Sequence, residues 1–244
     1  MTNSDAPIPA LTREQIVEVD RAMAEDYGIL PIQMMENAGR HFAHLARTRL
    51  LGGDPRGKQV VVLAGTGGNG GDALVAARRL HGWGARVVVA LTKEIGAFSS
   101  LPAQQLAILL RLGLQIVGAD QVARLGPADA VLDGLIGFSL SGPPRGAAAE
   151  LIRWANEQEA PILALDTPSG LDAGTGAIHT PTIVATATLT LALPKVGLLT
   201  QEAAPYVGEL YLADIGVAPQ LYAGRGFELE VGPLFARDEI LRLR

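Results

Sequence analysis

The spacing of apolar residues changes along the chain, and the first stretch has the period of helices. Between Thr12 and Gly28, apolar residues recur every three or four positions, and Gln15 stands at capping-box spacing from Thr12. This pattern predicts a first helix that ends at Gly28. A second predicted helix begins at Pro31, a residue favoured in the first turn, and ends near Gly52.

After position 57, short apolar runs alternate with helical stretches. The runs predict strands at residues 60–64, 85–91, 114–117, 130–135, 162–166, 184–191, 209–213 and 227–231. The stretches between them predict helices from Asp72, at 100–112 and at 145–157. Such alternation is typical of a parallel, doubly wound sheet with helices on both faces. The chain has no internal repeat and no low-complexity linker, so we expect a single domain over residues 1–244.

Composition and charge exclude several classes of protein. The 244 residues are 48% hydrophobic with a net charge of −5, which excludes intrinsic disorder and argues against a broad nucleic-acid-binding surface. The chain has no cysteine, so it has neither disulfides nor thiolate chemistry. No apolar run reaches the ~20 residues of a membrane span, and the first residues do not resemble a secretory signal. We therefore expect a cytoplasmic protein that contacts neither nucleic acid nor membrane.

A glycine-rich segment, Gly65–Asp72, falls between a predicted strand and a predicted helix. Gly65, Gly67 and Gly70 have the GxGxxG spacing of dinucleotide-binding turns, although a glycine turn alone is a weak signal. Glycine permits a positive φ and a close approach of the backbone to a ligand, and a helix N-terminus favours an anion such as phosphate. The structural alternative is a tight turn in which Asp72 caps the helix.

Two aspartates occupy positions where an apolar strand would bury them. Asp133 lies inside one predicted strand and Asp166 at the end of another. A buried carboxylate without a partner is costly, so each needs a cation, hydrogen-bond donors or water. Arg145, at the end of the loop after Asp133, can bind an anion through its fork of donors. The alternatives are a structural carboxylate at Asp133 and an Asx-type turn at Asp166 and Ser169.

The ends of parallel strands meet at one edge of a sheet, which is where ligands bind in such folds. Three residues near these ends, Asn69, Asp133 and Ser169, supply an amide oxygen, a carboxylate and a hydroxyl. Oxygen ligands suit hard cations, and one negative charge among the three favours a monovalent ion over a divalent one. The sequence therefore predicts a cation site beside the glycine-rich segment.

Five blocks of sequence, taken in order, resemble the NAD(P)H-hydrate epimerase family, which has the YjeF N-terminal domain. The blocks are Met35–Arg40, Asn69–Asp72, Asp133 with its glycine loop, Asp166–Gly170 and Leu193–Leu198, and they extend over about residues 10–220. The resemblance implies a Rossmann-like three-layer αβα sandwich. Together with the pattern above, this predicts an α/β fold with a mostly parallel central sheet and two extra N-terminal helices. It also implies an isomerase that epimerises the R and S forms of hydrated NADH and NADPH, and so repairs the damaged cofactor.

The resemblance assigns roles to individual residues. Asn69, Asp133 and Ser169 would bind one K⁺ per subunit, and Asp166 would be the catalytic acid or base. The residues expected to bind the hydrated dinucleotide are Gly68, Asn69, Gly70, Gly71, Asp72, Gly137, Phe138, Ser139, Leu140, Ser141, Gly142, Pro143 and Asp166. A carboxylic acid can protonate the hydroxyl that leaves next to the ring nitrogen, and its carboxylate can guide water back. Lys195 receives no assigned role.

The sequence departs from the family pattern at three positions. Gly68 replaces an asparagine, and Ala73 replaces a glycine. The bulky ring of Phe138 stands in a loop where many members of the family have smaller side chains. The family is commonly homodimeric, so we expect a homodimer. The chain carries no dehydratase domain of the kind fused to many bacterial members, so we expect a separate NAD(P)HX dehydratase as pathway partner. The alternatives are a non-catalytic nucleotide- or partner-binding module of the same fold, and a sugar- or nucleotide-phosphate enzyme.

Overall fold

The computed structural model describes residues 8–224 and 226–244, and its centre is an eight-stranded sheet. The strands are β1 (Gln59–Ala64), β2 (Arg86–Leu91), β3 (Gln115–Gly118), β4 (Ala130–Gly134), β5 (Ile162–Leu165), β6 (Ala187–Leu191), β7 (Glu209–Ala213) and β8 (Ile240–Arg242). Their spatial order is β3-β2-β1-β4-β5-β6-β7-β8. Strands β1 to β7 are parallel, and β8 is antiparallel to β7. The winding reverses between β1 and β4, and doubly wound sheets bind ligands at such a point.

Helices cover both faces of this sheet. They are α1 (Arg13–Glu25), α2 (Pro31–Leu45), α3 (Gly68–Gly82), α4 (Ser100–Arg111), α5 (Gly146–Asn156) and the short helices α6 (Ala204–Val207) and α7 (Pro219–Tyr222). Val60 of β1 packs in a cluster with Leu74 of α3, whereas the next residue, Val61, packs in a cluster with Leu151 of α5. Successive strand residues point to opposite faces, and both faces are covered, which explains the continuous apolar runs in the sequence.

The two N-terminal helices lie at the edge where the parallel strands end. The predicted capping box is present at the start of α1. Leu11, just before α1, forms a parallel bridge with Lys195 in the segment after β6. Helix α2 packs closely on α3 because residue 39 is glycine: a Cβ on Gly39 would lie 2.5 Å from the carbonyl oxygen of Asp72. These contacts fix α1 and α2 against the loops that follow the strands.

The α/β fold class, the mostly parallel sheet and the two N-terminal helices are confirmed, while two local predictions are wrong. The helix after the glycine-rich segment starts at Gly68, so Asp72 lies in its second turn and does not cap it. Residues 227–231, all of them described, form no strand; their apolar side chains Phe227 and Val231 pack in a cluster with α1 from an irregular segment. The last strand is β8, which has no counterpart among the predicted strands.

Candidate functional site

A cavity of about 400 Å³ opens where β1, β4, β5 and β6 end. Its wall combines the loops after these strands with side chains of α1 and α2, and most of the lining residues are apolar. The charged residues in the wall are Asp20, Asp72, Asp166 and Lys195. A mostly apolar cleft with a few convergent polar groups is the usual form of a small-molecule site.

Asp166 directly follows β5 and lines this cavity. Its backbone is left-handed, with a φ of +64°, which is uncommon for residues other than glycine. Two contacts hold this conformation. The Asp166 N–H donates to the Leu189 carbonyl at 2.7 Å, and the Phe138 N–H donates to Asp166 Oδ2 at 3.2 Å. Strained backbone of this kind is concentrated at functional sites.

Lys195 is the cationic partner of Asp166. Its Nζ pairs with Asp166 Oδ1 and donates to Thr190 Oγ1 at 3.0 Å and to the Leu191 carbonyl at 2.8 Å. The side chains of Lys195 and Asp166 are only 2% and 6% exposed. Buried opposite charges offset each other's desolvation only when they are close and have further hydrogen bonds, as here. The resemblance assigned no role to Lys195, but in the structure it balances the charge of the candidate catalytic carboxylate.

Three carboxyl groups and one ammonium group meet in this cavity. Burial raises the pKa of Asp72 well above its usual value, and the negative charges of Asp166 and Asp20 raise it further. Burial also raises the pKa of Asp20 to about 6, with a further rise from Asp166 and an opposing effect of Lys195. A carboxyl group with a pKa near 6 can give or take a proton near neutral pH, so Asp20 is a candidate acid–base group of this cavity.

The glycine-rich segment depends on close packing rather than on positive φ. None of its glycines is among the described residues with a positive φ. A Cβ on Gly70 would lie 1.8 Å from the carbonyl oxygen of Gly65, and a Cβ on Gly65 would lie 2.1 Å from that of Leu135. Gly67 and Gly68 have no atom within 4 Å of a Cβ, so the start of α3 has free space beside it.

Asp133 is fully buried in β4 and accepts three hydrogen bonds. Its Oδ1 accepts from the Ser169 hydroxyl at 2.7 Å and from the Leu135 N–H at 3.1 Å, and its Oδ2 accepts from the Ser169 N–H at 2.8 Å. Burial raises the pKa of Asp133 to about 6, and these hydrogen bonds limit the rise. The Ile136 N–H donates to Ser169 Oγ at 2.9 Å, so the same hydroxyl also holds the loop after β4.

Asn69 is placed beside this loop. A Cβ on Gly137 would lie 3.3 Å from Asn69 Oδ1 and 3.1 Å from Asp166 Oδ2, so Asn69 and Asp166 converge on Gly137. Asn69 Nδ2 is buried and has no hydrogen-bond partner among the described residues. An amide oxygen, a hydroxyl and a carboxylate are oxygen ligands of the kind that a monovalent cation takes, so the chemistry of Asn69, Asp133 and Ser169 fits such an ion. Within residues 8–224 and 226–244, no cluster of three or more His, Cys, Asp or Glu side chains is arranged to hold a metal ion.

The residues predicted to bind the substrate fall into two groups. Those that line the cavity are Gly68, Asn69, Asp72, Gly137, Phe138, Ser139 and Asp166. Those that do not line it are Gly70, Gly71, Leu140, Ser141, Gly142 and Pro143. Gly70, Gly71 and Leu140 are buried, as are the predicted cation ligands Asp133 and Ser169. The roles assigned to all of these residues stay predictions.

A second cavity of about 580 Å³ adjoins the first. The two share Gly68, Asn69, Gly137 and Ser139 in their walls. The second cavity adds the cationic side chains of Lys93 and Arg145, and it lies at the N-terminal ends of α3 and α5. Together the cavities form an elongated site with an apolar, carboxylate-bearing end and a cationic end.

The N-terminal helices also contribute to this site, which the positions of the strand ends do not predict. Ile16, Asp20 and Met34 line the first cavity, although none of them is near a strand end in the sequence. One signal was available for Asp20. It stands four residues after Ile16 and three before Met23, so it interrupts the apolar face of an amphipathic helix.

The fold and the site define a doubly wound α/β protein with a carboxylate-rich pocket at the switch point of its sheet. Residues 31–197 match the family model described as YjeF-related protein N-terminus, and the chain belongs to this family. No helix among the described residues is long and apolar enough to cross a bilayer.

Similar proteins cover nearly the whole chain. An NAD(P)H-hydrate epimerase of Dehalogenimonas lykanthroporepellens is 42% identical over 94% of this chain and 91% of its own length. One from Rhodopirellula baltica is 37% identical over 88% of this chain and 87% of its own. A bifunctional NAD(P)H-hydrate repair enzyme Nnr of Salinibacter ruber is 37% identical over 90% of this chain but only 43% of its own length. A yeast protein of known crystal structure has a TM-score of 0.80 and 25% identity over 97% of this chain and 100% of its own.

Proposed function

We propose that this protein is an isomerase that interconverts the R and S forms of hydrated NADH and NADPH. Relatives named NAD(P)H-hydrate epimerase align with it over most of both chains. The observation that carries the proposal is the buried Asp166–Lys195 pair, which presents a carboxylate of fixed orientation at the wall of a ligand-sized cavity. Chemistry at a hydroxyl-bearing carbon needs such a proton-exchanging group.

The elongated site supports a dinucleotide as the substrate. Met34 and Phe138 give its first cavity an apolar wall of the kind that suits a nicotinamide ring. Lys93 and Arg145 give its second cavity positive charge that suits phosphate groups. We place the damaged ring in the first cavity and the phosphates in the second, so that the reacting carbon lies near Asp166.

The proposed reaction follows from the substrate. The added hydroxyl is bound to a carbon next to the ring nitrogen. The lone pair of this nitrogen can expel the hydroxyl once the hydroxyl has received a proton. Water then returns to the planar cation on either face, and return to the opposite face completes the epimerisation. On the ring face that it contacts, Asp166 either takes a proton from the incoming water or gives a proton to the leaving hydroxyl. Lys195 supplies the positive charge that pairs with Asp166 inside the protein and fixes its orientation.

We further propose that Asn69, Asp133 and Ser169 hold one K⁺ per subunit. The ion, when bound, supplies the positive charge that the buried carboxylate of Asp133 otherwise lacks. Ser169 links this site to the reaction because its hydroxyl accepts from the Ile136 N–H, directly before Gly137 of the cavity wall. The residues of the ion site therefore position the loop that contacts the substrate.

The family resemblance supports two further proposals, a homodimer and a separate NAD(P)HX dehydratase that uses the S form. The mass measured by light scattering tests the dimer. The non-catalytic binding module stays a second candidate because Gly68, at the open start of α3, provides no side chain to the ligand.

One experiment separates the two candidates. A mixture of R and S hydrated NADH is treated with an S-specific dehydratase, and consumption of the remaining R form is followed with and without this protein. Acceleration of that slow phase is the result expected of the epimerase. Binding of an adenine dinucleotide without acceleration would identify a non-catalytic module, and preferential stabilisation by sugar phosphates in a thermal-shift screen would identify a different enzyme.

A further inference from the structure

Helix α1 contributes a carboxylate to the first cavity, and the family resemblance gives this group no role. Asp20 lines the cavity. Its neighbours Glu18, Glu25 and Asp26 all form ion pairs with Arg21 on the outer surface of the helix. Within the described residues, Asp20 takes part in no such pair. Asp20 is therefore separate from the surface charge network of its own helix.

The position of Asp20 on the helix is unusual for a carboxylate. Ile16, Val19 and Met23 are buried at helical spacing and form the apolar face of α1. Asp20 lies on the same face, four residues after Ile16 and one after Val19. A carboxylate there is partly desolvated, which costs stability and yields no ion pair in return. Such a cost is typical of a group that acts on a ligand.

We propose that Asp20 is a second acid–base residue of the epimerase and serves the ring face opposite to the one served by Asp166. This inference rests on the proposed function. Epimerisation moves a hydroxyl from one face of a planar ring to the other, and a carboxylate fixed at a strand end contacts only one face. Asp20 comes from a different wall of the cavity, on α1. Asp72 is also in the wall, but it is buried, whereas Asp20 is an exposed residue that lines the cavity.

The charges around Asp20 suit this role. The groups that face it are Asp166 from the end of β5, Lys195 after β6, Asp72 of α3 and the phenol of Tyr222 on α7. Desolvation and the negative charge of Asp166 raise the pKa of Asp20 to about 6, and Lys195 opposes the rise. A carboxyl group with this pKa gives and takes protons readily near neutral pH.

The two carboxyl groups supply and accept the protons that the reaction requires. Asp20 gives its proton to the substrate hydroxyl. The C–O bond then breaks, and the electron pair of this bond leaves with the oxygen, which departs as water. The lone pair of the ring nitrogen forms a C=N bond, so the ring becomes an iminium cation. Water forms a new C–O bond on the other face and gives a proton to the Asp166 carboxylate. The reverse reaction exchanges the two roles, and solvent returns the proton between turnovers.

The test measures interconversion directly, by separating the R and S forms chromatographically, and subtracts the rate without protein. The wild-type rate is expected to fall as pH rises through about 6, because Asp20 loses its proton. Asp20→Asn is expected to lower kcat about 100-fold or more at neutral pH, with KM changed less than about threefold. Glu14→Gln removes the same charge from an exposed position of α1 and leaves both parameters unchanged.

Thermal unfolding separates an acid–base role from a structural one. The Asp20 charge is unfavourable in the folded state, so Asp20→Asn is expected to unfold at the same or a higher temperature than the wild type. A lower midpoint, or a kcat above about a third of the wild-type value, would overturn the inference, as would a flat wild-type pH profile between pH 5 and 8. If the wild type itself shows no activity, the proposed epimerase is refuted, and this inference with it.

Discussion

Lys195 and Asp166 form an ion pair in which both side chains are almost excluded from solvent. The pair joins the residue after β5 to the segment after β6, and Lys195 is also bridged to the N-terminal segment through Leu11. Lys195 therefore connects the candidate catalytic carboxylate with the segment that precedes α1. Removal of either charge affects both stability and function, and the two effects can be measured separately.

Asp166→Asn is expected to abolish most of the activity and to weaken the fold without unfolding it. The amide cannot exchange a proton, so acceleration of R consumption falls about 100-fold or more. The substitution also leaves the buried ammonium of Lys195 without its partner, which costs about 3–5 kcal/mol of unfolding free energy. Urea unfolding measures the second effect, and the dehydratase-coupled assay measures the first.

The double variant Asp166→Asn, Lys195→Met is the control for that prediction. It removes the unpaired charge, so much of the lost unfolding free energy returns while the activity does not. Activity retained by Asp166→Asn would remove Asp166 from the mechanism. Equal stability of the single variant and the wild type would show that the ion pair contributes little to the fold.

Potassium is expected to stabilise the protein more at high pH than at low pH. The pKa of Asp133 is raised to about 6, so without a cation its contribution lowers stability as pH rises from about 4 to about 6. A cation bound by Asn69, Asp133 and Ser169 favours the ionised carboxylate. The increase in melting temperature in KCl over tetramethylammonium chloride, at equal ionic strength, is therefore larger at about pH 7.5 than at about pH 5.

Asp133→Asn is the matched variant for the potassium prediction. It keeps a side chain of similar size but removes the negative charge, so the pH-dependent part of the potassium effect disappears. An equal shift at both pH values, or no shift in the wild type, would exclude a cation site that depends on this carboxylate.

Gly70→Ala is expected to destabilise the protein by about 3 kcal/mol or more, because its Cβ would lie 1.8 Å from the Gly65 carbonyl oxygen. Gly67→Ala, three residues away, meets no atom within 4 Å and leaves the melting temperature nearly unchanged. Similar losses of stability in the two variants would contradict the conclusion that the first turn of α3 packs directly on the backbone of Gly65.

Gly68→Asn is expected to tighten dinucleotide binding without destabilising the fold. A side chain at residue 68 has free space and borders both cavities, so one new hydrogen bond, about 0.5–1.5 kcal/mol, lowers the Kd for NADP⁺ by roughly 2–10-fold. Calorimetry measures this change. Gly82→Asn places the same side chain at the open end of α3 and leaves the Kd unchanged. Weaker binding by Gly68→Asn would show that the glycine is needed for close approach of the ligand.

The fold was predictable because its strands are buried on both faces. Val60 and Val61 pack on opposite sides of the sheet, so β1 is apolar throughout and stands out in the sequence. The start of α3 was not predictable in the same way, because glycines normally indicate a turn and here form the first helical turn. Strand β8 has three residues at the sheet edge and is half-exposed, so it gave no apolar run.

The strand-end part of the site was also predictable, since parallel strands bring their carboxyl ends together. Asn69 and Asp166 indeed converge on Gly137, although they are far apart in the sequence. The contributions of Lys195 and Asp20 depend on tertiary contacts made by the segment after β6 and by α1. The break in the apolar face of α1 marks Asp20 as unusual, but the sequence does not show which cavity Asp20 and Lys195 enter.

The most direct measurement is the rate at which R hydrated NADH disappears when an S-specific dehydratase is in excess. Catalytic amounts of this protein are expected to remove the slow phase, whereas the same amount of Asp166→Asn is expected to leave it. A slow phase that persists with folded, dinucleotide-binding wild-type protein would contradict the proposed epimerase activity.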